Sequence, residues 1–224
     1  AAPYRVYGTI DTASVDMDLH AESEEVFLSG DSMSLIPRVG PALTEEYGAV
    51  THARLERANF ARVGDDIQWS VKVRVRDGHM SPPFVPAHIS HIAGRVHVDA
   101  GGTRLDAMTG RFVMGGIHGQ IDVDGPVACD RPGELLTVST KSIKMTPALV
   151  SAIPEVGEEI WKQYRPSGIA SVTARLCPAT DMALRGLEVS VTDGTLQRIL
   201  GAELPEPVTS LNALISVQGE RAAD

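Results

Sequence analysis

The chain writes Val71-Lys72-Val73-Arg74-Val75-Arg76-Asp77-Gly78, crosses a proline-rich link, and continues Val85-Pro86-Ala87-His88-Ile89-Ser90-His91-Ile92 to Val96-His97-Val98. It then writes the same thing again. Leu187-Glu188-Val189-Ser190-Val191-Thr192-Asp193-Gly194 is followed by Leu204-Pro205-Glu206-Pro207-Val208-Thr209-Ser210-Leu211 and ends Ile215-Ser216-Val217. The two Asp-Gly steps lie 193 − 77 = 116 positions apart, and the Ile92/Leu211 pair 211 − 92 = 119 apart, so the second link is three residues longer. Apolar positions meet apolar positions, and Pro86 meets Pro205. An internal repeat of this kind governs the whole reading.

Working outward, Gly8-Thr9-Ile10-Asp11 is answered by Gly119-Gln120-Ile121-Asp122. Val26-Phe27-Leu28-Ser29 and Ser32 to Pro37 are answered by Leu136-Thr137-Val138-Ser139 and Ser142 to Pro147. Gly48 to Leu55 is answered by Gly168 to Leu176. The order is conserved, which sets one unit at 1–114 and a second, truncated unit at 115–224; the counterpart of Thr103 to Met114 is missing from the second. The expectation is a piece of a longer array.

Val71, Val73 and Val75 alternate with Lys72, Arg74 and Arg76, the two-residue period of a half-buried strand. Val15 to Leu19 and Val26 to Leu28 do the same in short bursts. Each unit is expected to hold seven to nine short strands. Asp77-Gly78 and Asp193-Gly194 read as hairpin turns or as bulges. Pro37 to Tyr47 reads as a helical turn. Thr146-Pro147 is an N-cap followed by proline at the first helical position, with Pro154 dividing that helix from a second over Glu155 to Tyr164. The expected class is all-β with short helices: two tandem repeats of antiparallel strands forming a curved, groove-like sheet. One apolar face must be covered, so a closed β-sandwich is the alternative.

Composition narrows the partners. A net charge of −9 and basic residues spread singly along polar faces argue against nucleic acid. Apolar runs are only a few residues long, so no transmembrane segment is expected in this stretch, and no signal peptide opens it. Cys129 follows the Ile121 strand and Cys177 closes the Val172 strand. In an oxidising compartment they can form a disulfide; otherwise they are two unpaired thiols at strand ends.

No catalytic or metal-binding pattern is complete in the sequence. His91 and His97 share a polar strand face, but six residues place them about 20 Å apart; His88 and His91 have opposite parity. No metal site is expected. Asp16/Asp18 and Asp122/Asp124 are same-face strand neighbours without an aromatic platform to accompany them. No nucleophile elbow, cysteine–histidine signature or phosphate loop occurs. The chain reads as a non-enzyme with no cofactor. Trp161 and Tyr164 read as caps on the open end of the sheet core rather than as membrane or partner anchors.

With these blocks on the page, the chain resembles the AsmA-like family, which includes bacterial envelope proteins related to TamB and the large bridge-like lipid transfer proteins. The resemblance rests on the Gly-x-Ile-Asp blocks, the Pro147-to-Pro154 connector, Trp161 to Gly168, and Asp193-Gly194 through Leu204-Pro205-Glu206-Pro207 to Leu211-Asn212-Ala213. It implies repeating β-grooves that shield phospholipid acyl chains, neighbouring repeats in a longer parent, a periplasmic location, and an inner-membrane anchor elsewhere in that parent. It carries over no catalytic residue. The lining it implies is Val71, Val73, Val75, Ile92, Val96, Val98, Ile121, Val123, Leu136, Val138, Ile143, Met145, Val172, Leu176, Leu187, Val189, Val191, Ile215 and Val217. Leu214 departs from the pattern, standing where Arg95 stands in the first unit.

Overall fold

The structure is a computed structural model that describes residues 4–14, 16–30, 32, 44–45, 48–81, 87–128, 134–151, 157–177 and 183–218. Twelve strands form one antiparallel sheet: β1 (Tyr4–Ile10), β2 (Met17–Ser23), β3 (Glu25–Leu28), β4 (Val50–Val63), β5 (Asp66–Met80), β6 (Ala87–Asp99), β7 (Gly102–Met114), β8 (Ile117–Pro126), β9 (Leu136–Lys144), β10 (Pro166–Cys177), β11 (Ala183–Ile199) and β12 (Ala202–Gln218). From β4 onward each strand pairs with the next in the chain; β2 and β3 share β4, β2 at its far end and β3 at its start. The sheet is open and curved, not a closed barrel. It is all-β apart from short helices, as expected, and among the described residues no second sheet packs on it.

The strands are longer than expected and, in the second unit, fewer among the described residues. Units 1–114 and 115–224 hold seven and five of them, and β11 and β12 run 17 residues each. The reason is at Asp77-Gly78 and Asp193-Gly194, which are bulges inside strands and not turns. Val75 pairs with Gly94 and Gly78 with Ile92, so two residues of β5 oppose one of β6; Val191 with Ala213 and Gly194 with Leu211 repeat this in β11 and β12. Asp77 and Asp193 take left-handed backbone, φ 48° and 52°. A second bulge then restores the register from the opposite strand, at His91 (φ 52°) in β6 and Ser210 (φ 58°) in β12. The repeat therefore holds at the level of single backbone angles in this stretch.

It does not hold everywhere. Val26 pairs with Ala53 at the start of β4, whereas Leu136 pairs with Leu176 at the end of β10. Since Ala53-Arg54-Leu55 answers Ala174-Arg175-Leu176, the two blocks are out of step by two residues, and β4 runs on to Val63 where β10 stops at Cys177. Pro37 to Tyr47 lies outside the described residues except for two helical residues, Thr44 and Glu45.

Further bulges stand at Glu56 in β4, Ala107 in β7 and Ser142 in β9. Bulges on successive strands add twist and bend a sheet, which accounts for the curvature. Close backbone approach accompanies them: a Cβ on Gly94 would lie 2.7 Å from Met108 Cα and 2.9 Å from the Ala107 carbonyl oxygen, and one on Gly168 would lie 2.8 Å from Gly194 Cα.

Two helices lie between β9 and β10: α1 (Pro147–Ser151) and α2 (Gly157–Tyr164). The Thr146 hydroxyl accepts the Leu149 N–H at 3.3 Å, the N-cap the sequence indicates. From α1, Leu149 packs on the buried cluster Phe112, Ile117 and Ile143, together with Ile89, Met114 and Ile121. α2 packs against β11, where the Gln163 carbonyl accepts the Gly201 N–H at 3.1 Å. Trp161 and Tyr164 are half-buried there.

Candidate functional site: an apolar sheet face

Residues paired across strands point to the same side of a sheet. The register can thus be followed from edge to edge. Val71, Val73 and Val75 pair with Val98, Val96 and Gly94; Val123 with Val138; Val138 with Ala174; Val172 with Val189. The expected lining residues therefore share one face and form a stripe along it. Leu136, Ile143, Val189 and Val191 are buried, and the others described are half-buried. Ile215 and Val217 hold the register positions opposite Val189 and Leu187.

The stripe is unevenly covered. Where α1 sits, it is sealed: Ile143 is 1% exposed and Val150 is buried. Toward β1 it is open. Val6, Leu19, Ala21, Ala58, Phe60, Trp69 and Val71 line an apolar concavity of about 270 Å³, with His20 and Asn59 at its margin. Trp69 remains 38% exposed and Val6 66%. Of these residues Val71 alone is in the lining that the resemblance implies; Trp69, Phe60, Val6, Leu19, Ala21 and Ala58 are absent from it. The parity of Ile67, Trp69, Val71 and Val73 carries the signal that would have found them.

The opposite face is polar. Leu214 lies on it, paired with Ser190 as Arg95 is with Arg74, and is 67% exposed. The histidine reading needs correction here. The bulge at His91 reverses parity, so His88 and His91 share the polar face, and the His79 ring centroid lies 6.1 Å from each of theirs. The His88 and His91 Nδ1 atoms pair with the hydroxyls of Ser81 (3.1 Å) and Ser90 (3.2 Å). Among the described residues, no group of three or more histidine, cysteine or acidic side chains could hold a metal ion.

The carboxylate pairs serve the backbone. Asp16 is in the turn before β2, not in the strand, and accepts the Gly64 N–H at 2.7 Å and the Ser14 hydroxyl at 2.8 Å. These bonds, the Gly64 N–H foremost, hold its carboxyl below the ordinary value of 3.8. Asp11 is lowered likewise, chiefly by the Ala13 N–H. Asp124 accepts the N–H of bulged Ala107 at 3.1 Å, and Asp122 meets Gln120 at 3.0 Å. None of these carboxylates converges on a cleft. Cys177 is disulfide-bonded; Cys129, the other cysteine of the chain, lies outside the described residues.

The basic residues are not scattered singly. Arg54 pairs with Arg74 and Arg74 with Arg95, while Arg57 pairs with Lys72, one row beside it on the same polar face. Glu56, set in its bulge, meets Arg74 at 2.5 Å and Arg95 at 3.4 Å. Strand-by-strand reading hides such rows, because they exist only in the register.

Compared with known proteins, the chain matches no family model, no curated protein and no solved structure. No helix among the described residues is long and apolar enough to cross a membrane.

Proposed function

We propose that the apolar face binds lipid acyl chains, as a β-groove segment of an AsmA-like protein of the bacterial cell envelope. In this reading the chain is a carrier surface and not an enzyme. It serves phospholipid transport or outer-membrane biogenesis, in the periplasm, within a parent anchored in the inner membrane. The observation that carries it is the uncovered end of the stripe, where Val6, Leu19, Phe60, Trp69 and Val71 surround an open apolar concavity. An acyl chain laid there gains roughly 0.8 kcal/mol per buried methylene and needs no hydrogen-bond partner. A lining without a fixed polar group suits such a ligand and selects weakly among head groups.

Neighbouring repeats would join at the free edges. β12 occupies in its unit the place of β6, whose far edge is taken by β7.

The test is native mass spectrometry with lipid extraction, on protein purified without detergent. Co-purified phospholipid that is lost in Val73→Asp and Val189→Asp, with circular dichroism unchanged, supports the groove. A clean mass for the folded monomer favours a second reading, a structural β-repeat spacer with no ligand. The sealed cluster of Phe112, Ile117 and Ile143 under α1 speaks for that alternative.

A further inference from the structure

The rows Arg54–Arg74–Arg95 and Arg57–Lys72 set like charges directly opposite one another across strands. Such pairs destabilise a sheet unless something offsets them. Glu56 offsets Arg74 and Arg95, Asp106 stands opposite Arg95, and Glu25 stands opposite Arg54 and 3.6 Å from Arg76, which leaves Arg57 and Lys72 without a carboxylate across from them. Arg54, Arg57 and Lys72 are exposed and make no ion pair or side-chain hydrogen bond among the described residues. A chain of net charge −9 nonetheless gathers these cations on one patch.

We propose that the polar face of β4–β6 docks on a membrane surface of anionic phospholipid headgroups. The cations are spread across strands about 4.8 Å apart on an open face, which matches a surface of many charges rather than one bound ion. No apolar side chain stands between the two rows to form the desolvated centre of a protein–protein interface. The aromatic side chains of that face, Phe27 against His52 and His97 opposite Lys72, lie beside the rows and not between them, so they do not interleave with the cations as a base-stacking platform does. Headgroup attraction needs neither, since each exposed lysine or arginine contributes separately. The rows lie on the face opposite the apolar stripe, so this inference is independent of the groove reading.

The experiment is flotation of the whole chain with phosphatidylcholine vesicles, with and without added phosphatidylglycerol, across a salt series. Binding is expected only with phosphatidylglycerol and is expected to weaken as salt rises. The triple variant Arg54→Ser/Arg57→Ser/Lys72→Ser should lose about a hundredfold in affinity. Lys141→Ser/Lys144→Ser/Arg175→Ser, equal in charge change but on other strands, should retain it. All six substituted positions are exposed, and circular dichroism checks the fold of each variant. Equal binding to phosphatidylcholine alone, no binding by the native chain, or full binding by the first triple variant overturns the proposal. Capture by polyglutamate without vesicle binding also overturns it and assigns the rows to an acidic protein. Val73→Asp and Val189→Asp should leave flotation unchanged, so failure of the groove reading remains separate.

Discussion

Asp193 stands in β11 as Asp77 stands in β5: both hold left-handed backbone, and the glycine after each faces the apolar residue Leu211 or Ile92 of the next strand. A β-branched residue resists that conformation at a cost of about 1–2 kcal/mol. Asp193→Val should lower the denaturation midpoint accordingly, whereas Asp193→Gly should hold or raise it. The same pair of substitutions at Asp77 should give matching shifts. Urea denaturation of the four variants checks this.

Ile143 is the anchor of the sealed end. At 1% exposure, under Leu149 of α1, it leaves a cavity when truncated. Ile143→Ala should cost about 2–5 kcal/mol. Val63→Ala, at an exposed hairpin end, should cost little. Thermal melts of the two distinguish them.

How much of this could be read beforehand follows from what a single strand reveals. The faces were legible, because Val71, Val73 and Val75 alternate with charged residues and the period survives in the sheet. The bulge at His91 was not, since histidine enters left-handed backbone more often than most residues but does so too rarely for one histidine to announce a bulge, and without the bulge His88 and His91 count as opposite in parity. Asp-Gly announced an irregularity without saying whether the chain reverses there, and strand length depended on the answer. Arg54 and Arg74 are twenty residues apart in sequence and become neighbours only through pairing. Trp69 continues the valine parity and was visible in principle.

Asp16 ties the β1–β2 turn to the β4–β5 hairpin through the Gly64 N–H. Its carboxyl is lowered in the folded chain, so the tie favours the charged form, holds at neutral pH, and is lost as pH falls through that lowered value, below 3.8. The protection factor of the Gly64 amide, its exchange rate measured against the intrinsic rate at the same pH, should fall as the pH drops through that lowered value in the native chain. In Asp16→Ala it should be low already at neutral pH and change less with acid.

Trp69 offers an optical reading of the open concavity, and Trp161, in α2, serves as an internal reference. Titration with a long-chain alkyl probe should shift the emission of the native chain to the blue. Trp69→Phe should abolish that shift, and Trp161→Phe should preserve it. An unchanged spectrum in the native chain counts against ligand entry at this end.

The sequential pairing from β4 to β12 has a mechanical consequence. A pull applied through the two outermost strands acts across the strands, along the direction of the hydrogen bonds that join them. Each ladder then gives way rung by rung rather than shearing all at once. The sheet should yield at low force and in steps, one strand at a time, and close again by the same route when the load is removed.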